Sequence, residues 1–123
     1  MKIKIYYEDT DAGGVVYHTN YLKYCERARS ELFFSRGLMP LGEDGSGFVV
    51  RSLKCDFLTP ARLGDVLEVT TEISDTKRVS IRLKQSIYRC DIKIFEMDIT
   101  LVFVKNSKPS KIPQKFLKIF DTL

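Results

Sequence analysis

The chain has 123 residues, of which 44% are hydrophobic and 29% are charged, and its formal net charge is +4. This length suits one domain that buries a core without disulfides, and the composition excludes a disordered chain. No apolar run approaches the roughly 20 residues of a membrane-spanning helix, no signal-peptide core follows the N-terminus, and the basic residues are scattered among 16 acidic ones, so we expect a cytoplasmic protein with no nucleic-acid partner.

The first predicted element is a strand from Lys2 to Glu8. Ile3, Ile5 and Tyr7 alternate with polar residues, which is the period of a half-buried strand. The following stretch, residues 9–14, ends in two glycines and has the composition of a turn.

The second predicted element is an amphipathic helix from about Asn20 to Arg36. Its apolar residues recur at helical spacing: Tyr21, Tyr24, Cys25, Ala28 and Leu32. Thr19 or Asn20 is suited to cap the first turn, and Gly37 is suited to a left-handed cap after the last.

Four strands and a short helix are predicted after the glycine-rich loop 41–47. The strand-like segments are Phe48 to Phe57, Val66 to Ile73, Arg78 to Arg89 and Ile92 to Val104. In the third segment one face of the alternation, predicted to point inward, carries Val79, Ile81, Leu83, Gln85 and Ile87. In the fourth segment the residues that share the inward face are Phe95, Met97, Ile99, Leu101 and Phe103. Short links make the last strands antiparallel, since a parallel pair needs a long crossover. The polar segment Lys105 to Lys111 leads to a helix beginning near Pro113, with an apolar side of Phe116, Ile119, Phe120 and Leu123.

This order predicts one α+β domain over residues 1–123. A long helix and a five-stranded antiparallel sheet can bury each other's apolar faces in two layers. No repeat, linker or low-complexity segment indicates a second domain.

Candidate chemistry is concentrated between the first strand and the long helix. Asp9, Asp11, two glycines and the single histidine, His18, precede the helix. A helix N-terminus offers unpaired amides and a positive dipole end, which stabilise a carbonyl oxygen that becomes negative. Glycine at position 14 allows close approach of a substrate to the backbone.

Three other interpretations of this segment compete with catalysis. Asp-Gly-Gly clusters are usually simple turns. A calcium loop needs an acidic or amide residue where Gly13 stands and Glu where Asn20 stands. A transition-metal site on Asp9, Asp11 and His18 lacks a further histidine or a short-spaced cysteine pair, so no metal is expected. The three widely separated cysteines are expected to be buried, reduced thiols: Cys25, Cys55 and Cys90.

A longer pattern resembles a known family. The matching residues are Tyr7, Asp9-Thr10-Asp11, Gly14-Val15-Val16-Tyr17-His18, Asn20-Tyr21, Lys23-Tyr24, Glu26 and Ala28-Arg29. A second stretch, residues 50–65, extends the match, which reaches Pro113. The pattern resembles the 4-hydroxybenzoyl-CoA thioesterase family, in particular its bacterial YbgC-like branch, which is associated with the Tol–Pal envelope system.

The resemblance implies a hotdog fold, in which the sheet wraps the long helix, and assembly into dimers or tetramers. It implies hydrolysis of acyl-coenzyme A thioesters, with Asp11 as the catalytic aspartate, Tyr7 and His18 as further polar residues of the site, and Asp9 as a structural neighbour. A tyrosine stands in the 4-hydroxybenzoyl-CoA enzyme where this chain has His18, so short acyl-CoA esters are the expected substrates.

Roles for these residues follow in chemical terms. Amides near Tyr17 and His18 would polarise the thioester carbonyl while Asp11 acts as general base or as nucleophile, two routes that the sequence leaves open. In catalysis, His18 would orient water or substrate, or protonate the thiolate. The alternative is that His18 only makes a structural hydrogen bond across the loop. For Tyr7, the sequence favours a catalytic role and packing in the core equally.

Coenzyme A is here part of the substrate, and no resident cofactor is expected. Its phosphates favour basic side chains at a rim. Four candidates on or beside strand ends are Lys54, Arg62, Lys77 and Arg78. Two other functions stay open: a carrier-linked hotdog dehydratase, and a module that binds acyl carrier protein or lipid-synthesis enzymes with little turnover.

Overall fold

The computed structural model describes residues 1–123. In chain order the helices and strands are β1 (Lys2–Lys4), α1 (His18–Phe34), β2 (Gly47–Phe57), β3 (Val66–Thr76), β4 (Ser80–Arg89), β5 (Ile92–Lys105), β6 (Lys108–Pro109) and α2 (Gln114–Phe120). Neither helix is long and apolar enough to cross a membrane.

All the strands belong to one antiparallel sheet with the order β1-β3-β4-β5-β2. A two-residue strand, β6, also pairs with β5 at Val104 and Lys105. It lies in the segment expected to be only polar linker, where Asn106 and Ser107 adopt positive φ and turn the chain back. The predicted sheet of five strands is therefore confirmed with this short addition.

The sheet wraps around α1, as predicted for a hotdog fold. On β4 and β5 the predicted inward residues are buried, and Phe95 of β5 stacks on Tyr21 of α1 at 5.2 Å between ring centroids. Phe116, Ile119 and Phe120 of α2 close one end of the core against Phe33. Leu123, expected on the same side, is exposed because α2 ends at Phe120.

One polar side chain lies at the centre of this core. Gln85 of β4 is fully buried, and its amide donates to the Cys25 carbonyl at 2.9 Å and to Thr71 Oγ1 at 3.1 Å. Its oxygen accepts a bond from Arg29 at 2.8 Å, and burial lowers the pKa of that guanidinium. Because these partners satisfy the amide, the inward position predicted for Gln85 is compatible with a stable core.

Two predicted boundaries near the candidate site are wrong. The first strand ends at Lys4, and Tyr7–Asp9 form a single 3₁₀ turn. The long helix begins at His18 with Tyr17 in the capping position and no side-chain cap, so neither Thr19 nor Asn20 serves as its cap. Gly37 has the expected positive φ of 68°.

Candidate active site

The segment between the 3₁₀ turn and α1 folds back on itself as a short loop. Thr10 and Val16 form an antiparallel bridge, and Val15 bridges to Arg62. The Val16 amide donates to the Ala61 carbonyl at 2.8 Å, and the Ala61 amide donates to the buried hydroxyl of Tyr21 at 3.0 Å. These bonds fix the loop, residues 10–17, to the segment before β3 and to the first turn of α1.

Asp11 lies at the tip of this loop and is exposed to solvent. Its amide donates to the Val15 carbonyl at 2.9 Å, and its Oδ1 accepts a bond from the Gly13 amide at 2.8 Å. The turn closes through Gly14, whose φ of 78° is the left-handed conformation that glycine adopts without strain. Oδ2 makes no hydrogen bond within the chain, so one carboxylate oxygen is oriented and the other is free to act on a substrate or water.

Asp9 is a structural partner of the loop. Its Oδ2 accepts a bond from the Tyr6 amide at 2.8 Å, and its backbone carbonyl accepts bonds from the Tyr17 amide at 3.0 Å and from Asn20 Nδ2 at 2.9 Å. Burial raises the pKa of the Tyr24 phenol, and the Asp9 carboxylate nearby raises it further. Asp9 therefore joins both ends of the loop to α1.

Asn20 holds the loop to α1, although its place in the sequence predicts only a helix cap. Its side chain sits in the first turn of α1 and bonds the carbonyl of Asp9, 11 residues earlier. A sequence pattern does not identify such a bond, because the geometry of the intervening loop brings the two groups together.

The helix N-terminus provides the unpaired amides that the sequence predicted, at slightly different positions. The Tyr17 amide was expected to bind a substrate carbonyl. It donates instead to the Asp9 carbonyl, so it is not available to a ligand. The amides of His18 and Thr19, in the first turn of α1, donate no hydrogen bond in the chain. The exposed Tyr17 ring packs on the His18 imidazole, with 4.7 Å between ring centroids.

The candidate residues Tyr7, Asp11 and His18 are divided between two hollows that have no lining residue in common. One, of about 480 Å³, is lined by Tyr7, Asp11, Gly14 and Leu63 among others. The other, of about 210 Å³, is lined by His18 and mainly apolar side chains, including Phe57, whose ring lies 6.0 Å from the imidazole. Within one chain, Asp11 and Tyr7 thus share a hollow, and His18 lines a different one.

Tyr7 does not pack in the core. Its side chain is 81% exposed, because the strand ends before it and the 3₁₀ turn rotates it outward. The packing alternative for Tyr7 is therefore wrong, and the residue is free at the rim of the Asp11 hollow.

Of the four basic candidates, only Arg62 lies beside the Asp11 loop, through its bridge to Val15. Lys54 is in the middle of β2, opposite Asp98, and not at a strand end as expected. Lys77 and Arg78 form the turn after β3. The 11 residues of β3 begin at the opposite end of the strand, next to Asp65 and near the loop. Since a strand rises about 3.3 Å per residue, the length of β3, about 33 Å, separates this turn from the loop.

The cysteines carry no sign of nucleophilic chemistry at this site. Burial raises the pKa of the Cys25 thiol to about 12, and it also raises that of Cys55. A neutral thiol is a poor nucleophile. Cys90, expected to be buried, is exposed in the β4–β5 turn at a φ of 54°.

We expect Asp9→Ala to lower the stability of the fold and to have little effect on the catalytic rate. Loss of the charged acceptor for the Tyr6 amide should lower the free energy of unfolding by about 1–3 kcal/mol, measured by urea denaturation. The rate of the reaction at Asp11 should stay within about tenfold of wild type, because Asp11 keeps its bonds to Gly13 and Val15. The neighbouring Glu8→Ala is the control, since Glu8 is exposed and its side chain makes no hydrogen bond or ion pair. Unchanged stability of Asp9→Ala would contradict its structural role.

The chain is similar in sequence to known thioesterases and similar in fold to solved structures. A family model described as the thioesterase superfamily matches residues 13–95. An acyl-CoA thioesterase YbgC of Helicobacter pylori is 46% identical over the full length of both chains. An acyl-CoA thioester hydrolase YbgC of Escherichia coli is 36% identical over 96% of this chain and 92% of the relative.

A solved structure from Aquifex aeolicus, described as a hypothetical protein, superposes with a TM-score of 0.91. It is 27% identical and covers 98% of this chain and 97% of its own. The fold and its connections are therefore shared over nearly the whole length.

Proposed function

Because this chain belongs to the thioesterase superfamily and is a thioester hydrolase, we propose that it hydrolyses short acyl-coenzyme A esters, with Asp11 as the residue that begins the reaction. One observation carries the assignment to Asp11. Its carboxylate is oriented through Oδ1 by the Gly13 amide, while Oδ2 makes no hydrogen bond within the chain and faces the hollow that Tyr7 and Gly14 also line.

The proposed reaction begins at the thioester carbonyl. In one route Oδ2 of Asp11 takes a proton from water as the water oxygen attacks the carbonyl carbon. In the other, Oδ2 attacks that carbon itself, and water then hydrolyses the mixed anhydride. In both routes the oxygen of the tetrahedral intermediate is negative, and the unpaired His18 and Thr19 amides at the positive end of α1 are suited to stabilise it.

The intermediate then collapses by breaking the carbon–sulfur bond. The thiolate of coenzyme A leaves with the bonding electrons. It needs little acid assistance because a thiolate is a weak base. His18 lines the smaller hollow against Phe57, so its proposed role is to position the thioester. Tyr7, exposed at the rim of the larger hollow, is proposed to contact the substrate.

The smaller hollow supports a preference for short acyl groups. At about 210 Å³ it has the volume of roughly seven waters, taking about 30 Å³ for each. We expect kcat/KM to be highest for acyl groups of a few carbons and to fall for long chains. A thiol-release assay over acyl-CoA esters of increasing length tests this, with matching acyl carrier protein thioesters included to identify the carrier. A steady rise in kcat/KM to long chains would exclude this hollow as the acyl site.

Assembly into at least a dimer is part of the proposal. β2 is an edge strand of 11 residues, and its outer side is paired only at Gly47, through an isolated bridge to Leu41. Three apolar residues on the face turned toward the core are exposed, between 42% and 51%: Val50, Leu53 and Phe57. A long apolar edge is a template for another strand, and two copies related by a two-fold axis can pair β2 with β2 in antiparallel orientation.

A further inference from the structure

The face of the sheet turned away from α1 carries a polar depression of about 410 Å³ with no hydrophobic residue in its lining. Its floor is a row of residues paired across four neighbouring strands: Asp75, Arg82, Thr100 and Ser52. Arg82 alternates along β4 with the buried Ile81 and Leu83, which places it on the outer face.

Three cations surround this floor. Arg51, Lys77 and Arg82 line the depression against a single carboxylate, that of Asp75, and hydroxyl groups complete the lining. None of the three cations forms an ion pair within 4.0 Å. The local charge is therefore positive, and the guanidinium and ammonium donors have no protein carboxylate bound to them.

Two irregularities of the ladder lie at the ends of this row. The pairing register shifts between Ile73 and Asp75 in β3 and between Val50 and Ser52 in β2. The second shift leaves Arg51 outside the regular pairing, beside Ser52. Because a bulge redirects side chains and increases local twist, the two shifts place Arg51 and Asp75 around the same depression.

The adjacent row on this face shows a different arrangement. There the paired residues alternate in charge across the same four strands: Glu72, Lys84, Asp98 and Lys54. Lys84 also bonds Glu96 at 2.6 Å. Acids thus balance bases in that row. In the depression a hydroxyl group stands at Thr100, where the adjacent row has Asp98, and another stands at Ser52, where it has Lys54. Asp75 is therefore the one carboxylate that faces Arg51, Lys77 and Arg82.

We propose that this depression binds a phosphate-bearing anion. Guanidinium groups bind two phosphate oxygens at once, a lysine adds a point charge, and serine and threonine hydroxyls donate to the remaining oxygens. The site lies about 33 Å along β3 from the Asp11 loop of the same chain, so it is a separate site. Two sources share this chemistry: the nucleotide end of coenzyme A, and free phosphate anions.

Isothermal titration calorimetry at low salt tests the proposal with three probes: adenosine 3′,5′-bisphosphate, inorganic pyrophosphate and adenosine. The wild-type protein should bind the bisphosphate, with an affinity that falls as salt is added, and should not bind adenosine. Arg82→Gln should weaken binding about tenfold or more, since one bond to a charged group contributes about 1.5–3 kcal/mol. Asp75→Asn should tighten binding, because it removes the only carboxylate.

Lys54→Gln is the matched control, because it removes a cation from the adjacent row and should leave binding unchanged. Tight binding of the bisphosphate with weak binding of pyrophosphate would identify the nucleotide end of coenzyme A as the ligand; equal binding would identify phosphate alone.

Absence of binding to both phosphate probes, or equal binding by wild type and a folded Arg82→Gln, would overturn the proposal. If Arg82→Gln fails to fold, unchanged affinity of Asp75→Asn would overturn it equally. Cleavage of an N-acetylcysteamine thioester, which has no phosphate, should be unaffected by Arg82→Gln, so the result does not depend on the proposed role of Asp11.

Discussion

Asp11→Asn is expected to fold as the wild type does, to retain substrate binding and to lose about 10²–10⁴-fold in kcat for thioester cleavage. An amide has no basic oxygen to accept the proton of water and is a poor nucleophile, so both proposed routes are lost. The amide oxygen can still accept the bond from the Gly13 amide, so the loop should keep its shape. Thiol release gives the rate, and circular dichroism checks the fold.

Asp91→Asn is the matched control, because Asp91 is exposed in the turn between β4 and β5 and its side chain makes no hydrogen bond or ion pair. Cleavage by Asp11→Asn at the wild-type rate would exclude Asp11 from the chemistry. Rapid-quench mass spectrometry of the wild type tests for the nucleophilic route, since only that route adds the mass of the acyl group to Asp11.

Leu53→Asp is expected to convert the proposed dimer, paired through β2, to monomers. Leu53 lies near the middle of β2 and is 42% exposed in the single chain, so an aspartate there costs the isolated fold little. Near a two-fold axis, the substitution would bring two carboxylates together in an apolar interface, where like charges are strongly destabilising. Light scattering should give at least twice the 14.2 kDa chain mass for wild type and about one chain mass for the variant.

Lys54→Asp is the control for this change, because it introduces the same side chain at the next residue, on the opposite face of β2. It should remain assembled. A wild-type protein that is a fully active monomer would contradict the assembly, as would a Leu53→Asp variant that keeps the wild-type mass.

Much of the fold was predictable because its signals are local. Alternation along β4 and β5 identified their buried faces, and helical spacing identified the buried residues Tyr21, Tyr24, Cys25 and Ala28 of α1. The boundaries near Tyr7 and Tyr17 were less accurate, since tertiary bonds decide them. The Asp9 carboxylate and carbonyl hold the Tyr6 and Tyr17 amides, which ends the strand early and starts the helix early.

The sequence by itself determined the fold class and the loop in which Asp11 lies. The periodicity of apolar residues indicates the fold class, and one contiguous motif identifies the loop. Only the tertiary structure decided which groups of that loop are free. It assigned the Tyr17 amide to Asp9, turned Tyr7 outward, and placed Asp11 and His18 in different hollows. It also brought Arg51, Lys77 and Arg82 together from three parts of the chain. The physical reason is that strand pairing and register, which join residues distant in sequence, set these distances.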